Sequence, residues 1–174
     1  RRVLFRSPEY MYRDSLTGVR NAAAYKREVE KLEARLQSAP HPFAVCVMDV
    51  NNLKQTNDVH GHEAGNQLLI NATRFICSIF AHSPVFRIGG DEFVAILEQS
   101  DYEKRVPLLQ RFDACNGTIT FVAAESEATL SVSVARGLAE YNPATDSSYS
   151  DVFNRADGSM YVHKKACKAR ALRS

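Results

Sequence analysis

Val85-Phe-Arg-Ile-Gly-Gly-Asp-Glu-Phe-Val-Ala-Ile-Leu97 sets two short β-rich runs, at 85–88 and 92–97, around the triplet Gly89-Gly90-Asp91. Branched and aromatic residues suit a pleated, half-buried backbone, and a double glycine between two such runs reads as the turn of a tight hairpin. Working outward, Phe43-Ala-Val-Cys-Val-Met48 is a continuous apolar run of six that predicts a strand buried on both faces, ending at Asp49. A carboxylate at the end of a buried strand, with Asp91 and Glu92 in a hairpin turn, is the first chemical feature of the chain.

Helical periods surround these strands. Residues 21–37 place Tyr25, Val29, Leu32 and Leu36 at spacings of 4, 3 and 4, with Ser38-Ala-Pro-His-Pro42 as the stop. Residues 61–81 put Ala64, Leu68, Leu69, Ala72, Phe75, Ile76, Ile79 and Phe80 on one face, with Pro84 beyond. Residues 101–114 read as a helix that Pro107 kinks or delays, residues 129–138 alternate as a strand, and residues 152–169 predict a last helix with apolar Val152, Phe153, Ala156, Met160 and Cys167. The order helix, strand, two helices, hairpin, helix, strand, helix predicts one α/β domain, a mixed sheet with helices packed on it.

The chain has 174 residues, 22 basic and 20 acidic, for a net charge of +2, and 45% of it is apolar. That is enough chain for one core burying roughly 70% of the unfolded surface. Without a long basic stripe, nucleic acid is not the expected partner. Cys46, Cys77, Cys115 and Cys167 lie 31, 38 and 52 positions apart, with no CxxC pair, and read as ordinary thiols of a reducing cytoplasm. No apolar run approaches the ~20 residues of a membrane helix, so no direct membrane contact is expected. The opening Arg-Arg-Val-Leu-Phe-Arg-Ser-Pro has neither an initiator Met nor a signal-peptide core. Residues 1–13 therefore read as a lead-in from a longer protein, and the localisation as cytoplasmic, including the cytoplasmic part of a membrane-bound sensor.

Several chemistries drop out. There is no GxxxxGK[ST] loop and no GxGxxG, and His60-Gly-His-Glu63 lacks the HExxH spacing that puts two imidazoles on one helical face. Ser, Cys and His show no spacing that singles out a nucleophile and its base. Asp49, Asp91 and Glu92 remain; carboxylates converging from neighbouring strands make a hard-oxygen site for Mg²⁺ with substrate phosphates, where two ions activate an attacking oxygen and neutralise a leaving pyrophosphate. From spacing alone, the plainer reading is a turn that happens to be acidic. Asp157, Tyr161, Lys164 and Lys168 recur at spacings of 4, 3 and 4 on the last helix, so its lysines face one way, either toward a polyphosphate or as a solvated face that complements the macrodipole.

Arg87-Ile-Gly-Gly-Asp-Glu-Phe93 resembles the signature of the GGDEF family of diguanylate cyclases, and four further motifs stand in that family's order. Asp14-Ser-Leu-Thr-Gly-Val-Arg-Asn21 resembles DxLTGLxNR. Asp49-Val-Asn-Asn-Leu-Lys54, with Asn57-Asp58, Gly61-His62 and Gly65-Asn66, resembles DxDxFKxxNDxxGHxxGD. Ser131-Val-Ser-Val134 stands near the T-x-S-I-G strand, and Ala156-Asp-Gly-Ser-Met-Tyr-Val-His-Lys164 resembles ADxALYxAK. The match runs over about residues 10–170, with 14–174 as the implied domain.

The resemblance implies a palm-like nucleotidyl cyclase fold, a central five-stranded mixed sheet flanked by helices. It implies condensation of two GTP into cyclic di-GMP with release of two pyrophosphates, in a homodimer of half-sites. Asp49, the Val50 carbonyl and Asp91 are the implied ligands of two Mg²⁺ (or Mn²⁺) ions. Glu92 is the implied carboxylate that helps deprotonate the ribose 3′-hydroxyl, as base or as metal ligand. Amides of the turn Asn51, Asn52, Leu53 and Lys54, with Lys164 and Lys168, would hold the β- and γ-phosphates, Arg87 would face the phosphate region, and Asn57 and Asn66 would read guanine. Gly89 and Gly90 would let nucleotide lie across the hairpin backbone.

Five positions depart from the family pattern. Asn51 replaces the second Asp of DxD, a side chain that is not a principal metal ligand in that pattern. Asn66 replaces a carboxylate that accepts from both donors of guanine, a change that implies weaker GTP binding and relaxed purine selectivity. Phe80 and Ser83 stand where the family's RxxD product-inhibition site would be, which implies no feedback through it. Lys168 replaces an Arg fork with a point charge. The alternative reading is a degenerate module that binds GTP and dimerises for regulation without turnover.

Overall fold

In the computed structural model, residues 8–172 are described; the lead-in expected over 1–13 falls outside it for residues 1–7, and a 3-10 turn, Pro8–Tyr12, occupies its later part. β1 (Ala44–Val50) is buried at every position and is one of the sheet's two inner strands. β3 (Glu92–Leu97) pairs with it antiparallel on one side and β6 (Val134–Glu140) on the other, while β2 (Val85–Arg87) pairs beyond β3, giving the order β2-β3-β1-β6.

Among the described residues the expected five-stranded mixed sheet is thus a four-stranded sheet in which every strand pairing is antiparallel, and parallel pairing is confined to an isolated bridge between Arg20 and Phe86. The run expected as one strand over 129–138 breaks at Val132-Ser133. Its first part, β5 (Thr129–Ser131), forms a separate hairpin with β4 (Thr120–Val122), and only β6 returns to β1. The carboxamide of Asn116 donates to the Val134 carbonyl (2.8 Å) and accepts from the Val134 N–H (2.9 Å), filling the outer edge of β6 where a fifth strand would pair. Farther along that edge, the Arg136 N–H donates to Nδ1 of His163 (3.0 Å). Side chains therefore close an edge that would otherwise template another strand.

Both sheet faces are covered, which explains the unbroken apolar run. Cys46, Met48, Phe93 and Ala95 meet α3 (His62–Ile79) and α5 (Arg105–Cys115). Val45, Val47, Val94 and Ile96 meet α1 (Ala22–Ser38) and α6 (Tyr149–Ala171). Successive residues of a strand point to opposite faces, so each layer takes every second side chain. α6 lies so close to β6 that a Cβ on Gly137 would overlap the Ala156 carbonyl and the Met160 amide.

Element ends differ from expectation for local reasons. α2 (Leu53–His60) stands apart from α3 because Gly61, at φ 87°, breaks the path between them. The helix expected over 101–114 is two, α4 (Gln99–Glu103) and α5, with Pro107 in the first turn of α5, where its missing N–H leaves no helical bond unmade. α6 starts at Tyr149, earlier than the apolar period suggested, because Ser148 and Asp151 form a capping box.

Candidate active site

The C-terminal end of β1 carries Asp49 between Glu92 of β3 and Ala135 of β6. Asp49 is 4% exposed. Its Oδ2 accepts from Lys164 Nζ of α6 at 2.9 Å, while Oδ1 is buried without a protein partner. Burial pushes the Asp49 carboxyl up, the hydrogen bond from Lys164 works against that, and the charge of Asp91 adds to the rise. Burial disfavours the charged form of Lys164, but the hydrogen bond and charge of Asp49 outweigh it and hold the amine above its usual value.

After β1 the backbone turns sharply. Asn51 extends the ladder by one bond, its N–H donating to the Ser133 carbonyl (2.9 Å), and its Nδ2 donates to Ser133 Oγ (2.9 Å). Asn52 then takes the left-handed conformation, φ 64°, which Asn tolerates better than most side chains, and α2 begins. Its first helical bond runs from the Thr56 N–H to the Asn52 carbonyl (2.8 Å), and no side chain caps this end. The N–H groups of Leu53, Lys54 and Gln55 precede that bond, the arrangement that receives anions at a helix start.

The glycine turn is pinned to the same point. The Val50 N–H donates to the Asp91 carbonyl (2.9 Å), and the Ile88 N–H to the Glu92 carbonyl (2.9 Å). Asp49, Val50, Asn51, Asn52, Leu53, Lys54, Asp91, Lys164 and Lys168 thereby line one open cavity of about 500 Å³. Gln55, Asp58 and Val59 also line it. Sequence reasoning missed these three, although their spacing marks one face of α2.

The remaining candidates stand outside that lining. Glu92 is exposed on the hairpin, with its carboxylate where a Cβ on Gly89 would sit, whereas a Cβ on Gly90 would meet nothing within 4 Å. Arg87 is turned away from the cavity: it donates to the Gly90 carbonyl through Nε (3.2 Å) and Nη2 (2.7 Å), and to both oxygens of Asp14 (3.0 and 3.2 Å). Asn57 packs its carboxamide onto Gly65, where any Cβ would overlap it, and Asn66 is half-buried in the first turns of α3. Phe80 is buried beside Phe112, and the Ser83 hydroxyl donates to Asp101 (2.7 Å). A larger groove, about 770 Å³, lies around Asp146 and Arg155 at the Glu140 end of the sheet, away from Asp49.

The donor set fits a hard divalent cation. Asp49 Oδ1 and Asn51 Oδ1 are both buried and unpartnered, and each such acceptor costs about 1–3 kcal/mol if left so. No cluster of three or more His, Cys, Asp or Glu assembles among the described residues, so a cation here draws on carbonyl or amide oxygen beside Asp49 and Asp91.

The family described as diguanylate cyclase, GGDEF domain, matches residues 11–170. Diguanylate cyclase DgcS of Shewanella oneidensis is 29% identical over 152 residues, covering 87% of this chain and 49% of that protein. Diguanylate cyclase DosC of Shigella sonnei is 27% identical over 147 residues, 84% of this chain and 30% of that protein. The chain thus spans less than half the length of these curated relatives. The crystal structure of the GGDEF domain of DgcB from Caulobacter crescentus, in complex with c-di-GMP, has a TM-score of 0.77 at 23% identity over 89% of this chain and 91% of that one, a likeness of fold.

Proposed function

The chain belongs to the GGDEF diguanylate cyclase domain family, and from that premise we propose that it condenses two GTP into cyclic di-GMP, releasing two pyrophosphates, as a face-to-face pair of half-sites. The observation that carries this reading is the cavity in which buried Asp49, Asp91, Lys164, Lys168 and the uncapped start of α2 converge. It offers negative oxygens for a divalent cation beside amides and ammonium groups for phosphate.

In this reading Asp49, the Val50 carbonyl and Asp91 hold the divalent metal that the family's cyclases use. Mg²⁺ or Mn²⁺ bound there supplies positive charge against the phosphates and lowers the pKa of a coordinated hydroxyl. The N–H groups of Leu53 and Lys54, with Lys164 and Lys168, grip the β- and γ-phosphates. Glu92, exposed on the hairpin, faces the partner half-site and assists removal of the 3′-hydroxyl proton. Asn57 and Asn66 read the base from the α2–α3 side, and Arg87 acts by holding the hairpin turn in shape. Among the described residues no helix is long and apolar enough to cross a membrane.

A second reading is favoured by Asn66 and Lys168: a module that binds GTP and pairs with another copy without turnover. Incubating the purified chain at high concentration with GTP and Mg²⁺, and weighing the product by mass spectrometry, separates the two. Cyclic di-GMP supports the first reading; bound GTP without product supports the second.

A further inference from the structure

Asn51 is 7% exposed, lines the cavity, and has one buried polar atom, Oδ1, without a partner in the protein. Its Nδ2 is spent on Ser133 Oγ at 2.9 Å, and its backbone N–H on the Ser133 carbonyl. Those two bonds fix the amide plane, so the oxygen is the end left over. Asp49, two residues earlier, presents the matching feature: Oδ2 is held by Lys164, and Oδ1 is buried and unpartnered. Residues two apart along an extended backbone share a face. The two orphaned oxygens, one from a carboxylate and one from a carboxamide, therefore belong to residues that line the same cavity.

Buried acceptors in native proteins are almost always satisfied, and a pair of hard oxygens without protein donors is satisfied by ordered water or by a cation. We propose that Asn51 Oδ1 is a further oxygen donor to the divalent cation that Asp49 holds, directly or through one coordinated water, with Ser133 as the residue that orients the amide. This rests on the cation site of the reading above, but gives Asn51 a part that the family pattern does not. An amide oxygen is a neutral ligand of the class that suits Mg²⁺ and Mn²⁺. It adds coordination without adding a negative charge beside Asp49 and Asp91.

The test is equilibrium binding of Mn²⁺ alone, followed by the loss of its free-ion EPR signal, on the whole chain without nucleotide. Asn51→Ala is expected to bind about tenfold more weakly, in line with the loss of a supporting group at a metal site, and Asn51→Asp more tightly than the parent. Ser133→Ala, which keeps the oxygen, is expected to fall between the parent and Asn51→Ala. Should Asn51→Ala fail to fold, Asn51→Asp decides, since it preserves the side-chain shape. Mn²⁺ binding that is lost in Asp49→Asn but unchanged in both Asn51 variants overturns the inference and leaves the cation site standing. Absence of Asp49-dependent binding in the parent overturns both.

Discussion

Arg87 donates to Asp14, 73 positions earlier in the chain, and to the carbonyl of Gly90 in the glycine turn, so one guanidinium ties the N-terminal segment to the hairpin beside the cavity. Asp14 is itself held by the N–H (2.9 Å) and hydroxyl (2.6 Å) of Thr17. The same segment runs beside β2, with the Arg20 N–H donating to Val85 (3.3 Å) and the Arg87 N–H to Arg20 (2.8 Å). The segment before Asn21 and the turn that carries Asp91 are thereby bonded to one another.

Arg87→Lys keeps the charge but loses the planar fork that reaches two acceptors at once. The expected cost is about 1–3 kcal/mol for the unmade hydrogen bonds to partly buried groups. At about 2–4 °C per kcal/mol for a chain of this size, the melting temperature drops measurably, and cyclase activity drops further because the turn loosens. Unaltered activity at reduced stability would show that the clamp has no bearing on the site.

Acid should weaken the fold through Asp146 and Asp14. The hydrogen bond from Arg155 holds the Asp146 carboxyl below its usual value, against the effect of burial, and the Asn142 N–H (2.8 Å) adds to it. Burial opposes the charge of Asp14 as well, but the hydrogen bonds from Thr17 and Arg87 outweigh it, so that carboxyl is also lowered. A lowered folded-state pKa means stability that is present above the unfolded value, about 3.9, and is lost as pH falls through the folded one. Thermal melts at pH 7 and near pH 3 check this: Asp146→Asn should start less stable and lose less on acidification. An equal loss in parent and variant would remove Asp146 from the acid response.

What could be read in advance depended on how local each signal was. Phe43 to Met48 announced a doubly buried strand because every residue is apolar, and Gly89-Gly90 announced the hairpin. The break at Val132-Ser133 left no local mark, because residues 129–138 keep their alternation and the cause is Asn116, which captures Val134 from another part of the chain. The motif residues were similarly legible while their pairing was not: Lys164 meets Asp49 across 115 positions, and Arg87 meets Asp14 across 73. The first of the two helices expected between β1 and the hairpin has no apolar period of its own, so nothing set Gln55, Asp58 and Val59 on its cavity face.

Two glycines should respond in opposite ways to alanine. At Gly137 the added Cβ overlaps backbone atoms of α6, which cannot step aside without moving the helix off β6. Gly137→Ala is expected to destabilise by about 1–3 kcal/mol or more, seen in urea titration. At Gly90 the Cβ meets nothing within 4 Å, so Gly90→Ala should leave stability within about 0.5 kcal/mol. Its effect should appear in the KM for GTP, because the proposed nucleotide path crosses that backbone. An unchanged KM would place the nucleotide elsewhere.

If Asn66 reads the base, as proposed, it sets which purine the site takes. Guanine offers two adjacent donors, N1–H and the 2-amino group, to which a carboxylate presents two acceptors and a carboxamide only one. The mismatch leaves a group unpaired at about 1–3 kcal/mol, or roughly 5- to 150-fold in affinity. A carboxamide also matches the donor-and-acceptor edge of adenine, the pairing by which Asn reads that base in DNA. Asn57, whose carboxamide packs on Gly65, is a second carboxamide near the start of α3. Turnover of GTP and ATP, separately and mixed, should therefore show a small preference in the parent and a larger one for GTP in Asn66→Asp. With the mixture, the parent should yield some mixed GMP–AMP product by mass. An identical and strong guanine preference in both proteins would show that position 66 does not read the base, and would return that role to Asn57 alone.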